Sequence, residues 1–163
     1  MRRVWAIVII GALMVLQSIP NLKVFGFFPD LLMIFIIYYS FKVGTSQGII
    51  LGAIVGLVMD ILSGSSVGTR SIAFATVALS VEFFKTIFIF EMLFTIPIVS
   101  LLGTFIKYLS LFAIFLVFRS ISLGEWYIAM VVEGIINFIF GFPMMWLSNK
   151  ITSLLHREYY LEV

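Results

Sequence analysis

The sequence predicts an all-α integral membrane protein, a bundle of six transmembrane helices, and three observations carry that expectation. Of the 163 residues, 63% are hydrophobic and only 11% are charged, whereas a soluble domain carries roughly a quarter charged residues. The mean hydropathy is +1.22, so most of the chain must be solvated by lipid rather than by water. The apolar stretches are long, and each spanning helix needs roughly 20 residues. Six such helices with short connections use up the chain as a single membrane domain, with no room for a soluble one.

The first helix is expected over 4–19, after Met1-Arg2-Arg3, with no charge until Lys23. A positive start before an apolar stretch also describes a secretory signal. Here the stretch ends at Gln17-Ser18-Ile19-Pro20 with no small-residue cleavage site, so it reads as a retained helix. Pro29-Asp30 opens the second, over 29–41, because proline fits the first helical turn and a carboxylate favours the positive end of the helix dipole. The third runs over 45–62, between Lys42-Val43-Gly44 and the turn-rich Ser63-Gly64-Ser65-Ser66. The fourth covers 69–90. The fifth covers 93–118, with Pro97 in its first turns. The sixth covers 125–148 and can continue towards Tyr159 along the interface.

Lys and Arg set the orientation of such a chain. Six crossings leave both termini on one side, and Arg2, Arg3, Lys42, Lys85, Lys150 and Arg157 fall on or near it. Lys23, Arg70 and Arg119 fall on the other, and Lys107 is left within the fifth helix. The excess places both termini in the cytoplasm. Trp5, Trp126, Tyr127, Trp146, Tyr159 and Tyr160 fall near the predicted borders, as interfacial aromatics do.

Four glycines recur every fourth residue, Gly44, Gly48, Gly52 and Gly56, and the same count reaches Asp60 and Gly64. Residues four apart lie along one helix ridge, so the missing side chains cut a groove for a second backbone. Close contact of that kind is a main source of helix association in lipid. Either another helix of this chain, a partner subunit or a second copy could fill it. Asp60, near the end of the third helix, needs partners at membrane depth. The hydroxyls and N–H groups of Ser63, Ser65 and Ser66, or Arg70, are close enough in sequence to serve, and a proton or ligand site is the sharper alternative.

Glu82 and Lys85 are three apart on the fourth helix and can pair internally. Glu133 and Asn137 are four apart on the sixth, with Gly141 next on that ridge. Lys107 and Glu133 both lie about mid-span in neighbouring antiparallel helices, so they can pair across them, either locking two helices or lining a polar cavity. Catalytic equipment is scarce. There is no cysteine and a single histidine, His156, and no serine-hydrolase arrangement, zinc-protease motif or phosphate-binding loop. No enzyme activity, metal or cofactor is expected.

Two stretches resemble a known family. Pro29-Asp30-Leu31-Leu32 opens the second helix, and Gly56-Leu57-Val58-Met59-Asp60-Ile61-Leu62-Ser63-Gly64 runs into Ser65-Ser66-Val67-Gly68. With the length, the arginines near the N-terminus and six apolar segments, the chain is similar to the bacterial rod shape-determining protein MreD. The resemblance implies a non-catalytic scaffold of the cell-elongation machinery in the cytoplasmic membrane. It would act with the bitopic protein MreC and connect the filament protein MreB to RodA and a class B penicillin-binding protein in lateral peptidoglycan synthesis. It also implies a helix arrangement like that of the substrate-binding subunits of energy-coupling-factor vitamin transporters. Asp30, Gly56, Asp60, Gly64 and Gly68 match the family's motif positions, as structural or partner-contact residues. The runner-up function is a small-molecule, vitamin-like binding or transport subunit.

Overall fold

The structure, a computed structural model, describes residues 2–17, 26–87, 92–118 and 126–159. Within these the chain forms six helices and no sheet: α1 (Arg2–Gln17), α2 (Leu31–Lys42), α3 (Thr45–Ser63), α4 (Thr69–Ile87), α5 (Met92–Phe118) and α6 (Trp126–Tyr159). Lys23, Arg119 and Tyr160 lie outside the described residues, as do the side chains of Arg2, Arg3, Trp5, His156, Arg157 and Tyr159. The expected ends of the first and fourth helices, 18–19 and 88–90, and the expected start of the sixth at Glu125 lie outside them too.

Among the described residues, three helices are long and apolar enough to cross a bilayer: Thr45–Ser63, Phe94–Val117 and Trp126–Leu147. The expected six helices are present, but only these three are by themselves long and apolar enough to span among the described residues. α4 carries Arg70, Glu82 and Lys85 within its 19 residues, which lowers its apolar character. α2 has only 12 residues, about 18 Å at the α-helical rise, well short of the roughly 30 Å hydrocarbon core.

This short helix is the centre of the molecule. Every residue from Leu31 to Tyr38, and Ser40, is buried. α3, α4, α5 and α6 surround it, and α1 packs beside it. Leu32, Met33, Ile34, Ile36 and Ile37 of α2 are wholly enclosed, facing Val77 and Val81 of α4 and Ile96 and Val99 of α5 in one continuous core. The outward faces of the other helices are apolar as well, with Ile50, Ile54, Leu57 and Ile61 on α3 and Leu79 and Phe83 on α4 exposed. That is the surface a lipid-solvated bundle presents.

The turns are fixed by local chemistry. Asp30 caps α2, its Oδ1 accepting the Met33 N–H at 3.1 Å, which satisfies one of the unpaired donors of the first turn. Gly64 ends α3 with φ 62°, and its N–H reaches back to the Asp60 and Ile61 carbonyls. That left-handed cap is open to glycine at little cost.

Candidate functional site

The glycine ridge of α3 is filled from within the chain. A Cβ on Gly48 would strike the Ser40 side chain of α2. One on Gly52 would sit 3.0 Å from the Phe74 carbonyl oxygen of α4, and one on Gly56 only 2.5 Å from the Ser71 nitrogen and 2.6 Å from Arg70 backbone atoms. The backbones of α3 and α4 therefore meet directly, and the Ser71 hydroxyl donates to the Ala53 carbonyl at 2.8 Å across that contact. Gly44 lies outside this contact: it precedes α3 with φ 137° and open space where a Cβ would point.

One step beyond Gly56 on the same ridge, Asp60 is fully buried at the end of the α3–α4 hairpin. Its Oδ2 accepts the backbone N–H groups of Gly68 at 2.9 Å and Arg70 at 3.0 Å, and its Oδ1 accepts the Ser65 hydroxyl at 3.1 Å. The Arg70 Nε is 3.9 Å from Oδ1, with its side chain partly exposed. Asp60 thus does for α4 what an N-cap residue does, from the preceding helix, and its charge sits at the positive end of the α4 dipole. Of the expected partners, Ser65 and Arg70 reach the carboxylate. The Ser63 hydroxyl turns instead to the Met59 carbonyl at 2.6 Å, and the Ser66 carbonyl accepts from Thr69. Sequence reasoning missed the backbone donor of Gly68. Its φ of 97°, in the region that favours glycine, aims that N–H inwards.

The second ridge belongs to α6. Glu133, Asn137 and Gly141, four apart, meet Lys107, Thr104 and Pro97 of antiparallel α5 in turn. Lys107 Nζ donates to Glu133 Oε1, and Asn137 Nδ2 donates to Thr104 Oγ1 at 2.9 Å. Gly141 lets the Pro97 Cα come within 2.7 Å of where a Cβ would stand. The expected Lys107–Glu133 pair is therefore present, but it is not a pair alone. Lys107 Nζ also donates to Asp30 Oδ2 at 3.0 Å, and the Tyr108 hydroxyl donates to Glu133 Oε2 at 2.7 Å. The Asp30 N–H donates to Asn137 Oδ1 at 2.8 Å, and Gln17 of α1 caps the Pro29 carbonyl at 3.0 Å. The start of α2 is thus held inside the bundle by side chains of α1, α5 and α6. Lys107 and Glu133 are only 9% and 8% exposed.

Asp30 is the member that spacing did not reveal, because it lies 77 residues from Lys107. The available signal was energetic: a lysine within an apolar helix is costly enough to call for every acid at its depth. Thr104, three residues before Lys107, shares its face by helical spacing and could have been found by the same rule, whereas Tyr108, adjacent to Lys107 in sequence, could not.

A third cluster joins the other end of the α3–α4 hairpin. Glu82 and Lys85 pair at 3.5 Å as expected. Thr45 at the start of α3 donates to Glu82 Oε2 and accepts from Lys85 Nζ at 2.9 Å. Among the described residues, no buried side-chain nitrogen or oxygen lacks a partner, and no group of three or more acids and histidines is placed to hold a metal ion. The buried charged side chains, Asp60, Lys107 and Glu133, sit at joints between helices.

Comparison with known proteins agrees with this anatomy. The sequence pattern of the rod shape-determining protein MreD family matches residues 2–151, a stretch holding both ridges and all three polar clusters. No curated protein and no solved structure gives a significant match. Because the match runs from the first turn of α1 past the last apolar turn of α6, the chain belongs to the MreD family of membrane proteins, whose role is in determining rod shape.

Proposed function

We propose that this chain is a non-catalytic scaffold of the bacterial cell-elongation machinery. In this reading it lies in the cytoplasmic membrane with both termini in the cytoplasm and binds an MreC-like bitopic protein. Through that partner it supports lateral peptidoglycan synthesis together with MreB, RodA and a class B penicillin-binding protein. The observation that carries the reading is the family match over residues 2–151. Its physical support is that the buried side chains of Asp60, Lys107, Glu133 and Asn137 all bond beyond their own helix, joining helices rather than lining a catalytic centre. The outward helix faces are apolar, and a bitopic partner would dock against one of them in the plane of the membrane.

Replacing the native gene with alleles of this chain in a rod-shaped host, and purifying the tagged protein in mild detergent at native expression, tests the reading. The expected result is rounded cells on depletion and retention of an MreC-like partner. Normal rods on depletion, or no retained partner, would overturn it.

The kinship in helix arrangement with vitamin-binding transporter subunits is part of the same proposal. One observation favours a binding role as a second reading, namely the buried Asp30–Lys107–Glu133 cluster. Thermal stabilisation of the detergent-solubilised protein by a vitamin would move this reading ahead of the scaffold. A flat response across vitamins would remove it.

A further inference from the structure

A proline inside a helix removes one backbone donor, and in α6 the place where that happens faces outwards. Pro143 stands within α6 and has no N–H. The carbonyl of Ile139, four residues back, therefore loses its helical partner, and the proline ring crowds that carbonyl. Both ends of this gap are on the lipid side: Ile139 is 58% exposed, and Pro143 is exposed too. Trp146, an interfacial aromatic, follows seven residues after Ile139, which sets the carbonyl about 10 Å inside the membrane border at the helical rise. Hydrocarbon offers no water there, and a bare backbone acceptor in it is costly.

The described residues do not fill the gap from within. Between Ile135 and Leu147 the one polar side chain of α6 is Asn137, which is buried and bonded to Thr104 and Asp30. Hydroxyls closer to the lipid are committed elsewhere. Thr76, Ser80 and Ser110 donate to the Ile72, Val77 and Ile106 carbonyls of their own helices. A second copy of the chain would bring these same committed hydroxyls, so the donor belongs to a different protein.

The gap also lies on a ridge suited to a whole helix. Val131, Ile135 and Ile139 recur every fourth residue and are about half exposed, and exposed Tyr127 and Trp146 bracket them. Those two aromatics are 19 residues apart, about 28 Å of helix, close to the full hydrocarbon thickness. The three β-branched side chains are stiff at χ1, so covering them costs little rotamer freedom. α5 and α2 hold other sides of α6, where Glu133, Asn137 and Gly141 are buried.

We propose that this outward ridge of α6 is where the spanning helix of a bitopic partner docks, and that the partner donates a hydroxyl or carboxamide hydrogen bond to the Ile139 carbonyl. The inference rests on the scaffold reading, which supplies a bitopic partner, and adds where that partner binds and what it carries. Close packing and interhelical hydrogen bonds are what join helices in lipid.

Photocrosslinking in native membranes tests this, with a benzophenone amino acid placed singly in the full chain and the MreC-like protein of the same genome at native expression. Adducts with that protein are expected from Ile135 and Ile139, and not from Ile54 of α3, Leu79 of α4 or Leu109 of α5, which are as exposed. Three results would overturn the proposal and leave the scaffold reading standing: adducts from those three positions instead, ridge adducts with a second copy of this chain, or no ridge adduct while the partner still copurifies. A partner neither crosslinked nor copurified would remove both. Pro143→Ala restores the missing N–H, so the Ile139 carbonyl is satisfied within α6. Copurification in mild detergent should then retain about two- to tenfold less partner, the worth of one hydrogen bond. The unfolding midpoint of the chain alone should hold or rise, because alanine suits a helix better than proline. Retention equal to the wild type would reject the donor. The crosslinks leave Pro143 in place and decide independently of how that variant folds.

Discussion

At the scale of single residues, the places where this protein tolerates least are those where two backbones meet. Gly56→Ala puts a methyl group 2.5–2.6 Å from backbone atoms of α4 that cannot swing aside. Overpacking of this kind costs about 1–3 kcal/mol, and thermal unfolding in detergent should show a lowered midpoint. Gly11→Ala is the matched control, since nothing lies within 4 Å of its Cβ position. There the change should be neutral or stabilising by up to about 1 kcal/mol, the helix-propensity difference. Equal losses at both sites would show that helix propensity, not contact, governs the ridge. Asp60→Asn turns one acceptor atom into a donor that faces either the Gly68 and Arg70 N–H groups or the Ser65 hydroxyl. Leaving buried donors unpaired costs about 1–3 kcal/mol, so the unfolding midpoint should fall although the side chain keeps its size. The four-residue spacing announced both of these sites, because periodicity along one ridge is written in the sequence. That turn N–H groups would serve Asp60 was expected, but that they would be those of Gly68 and Arg70 rather than of the serines was not legible, since backbone donors leave no mark in residue identity.

At the scale of the helix, α2 depends on contacts that no neighbour in sequence supplies. Lys107→Met leaves Asp30 and Glu133 facing each other without their shared cation. Removing one partner of a buried ion pair costs about 3–5 kcal/mol. The loss should appear as faster amide exchange in the first turns of α2, with α3 and α4 unaffected. Adding Asp30→Asn and Glu133→Gln to Lys107→Met should recover much of the stability, because the charges needing compensation are gone. A triple variant no more stable than Lys107→Met would mean that shape, not charge, holds the joint. Helix existence and most boundaries were readable: 45–62 was expected where Thr45–Ser63 is found, and 93–118 where Met92–Phe118 is found. Turn chemistry explains that success, with Gly44, Gly64 and the serine cluster marking the ends. The central position of α2 was not readable. An apolar helix looks the same in sequence whether it faces lipid or protein, so only its length of 12 residues hinted that it stays inside.

At the scale of the whole molecule, the polar clusters divide by end. Thr45, Glu82 and Lys85 gather where α3 begins and α4 finishes, and Lys42 closes α2 just before it. Ser63, Ser65, Ser66 and Arg70 gather where α3 finishes and α4 begins. Between them lie the 19 residues of α3, about 28 Å of helix, matched to the roughly 30 Å hydrocarbon core. The cationic end belongs in the cytoplasm if lysine bias sets orientation here as elsewhere. The chain has no cysteine, so a single introduced thiol reports one position without background. Ser46 and Ser66 are both exposed, at opposite ends of α3, and Thr86 is exposed near the close of α4. In intact cells whose outer barrier admits a membrane-impermeant thiol reagent, Ser66→Cys should be labelled at once. Ser46→Cys and Thr86→Cys should be labelled only after the cytoplasmic membrane is opened. The inverse pattern would keep the bundle and reverse its orientation. Labelling of Ser46→Cys and Ser66→Cys from one side would mean that α3 does not cross, and labelling of Thr86→Cys together with Ser66→Cys would remove α4 from the crossing helices. The charged residues of α4 make that last comparison the informative one. A helix too polar to insert by itself should still cross if the glycine ridge of α3 carries it, backbone against backbone.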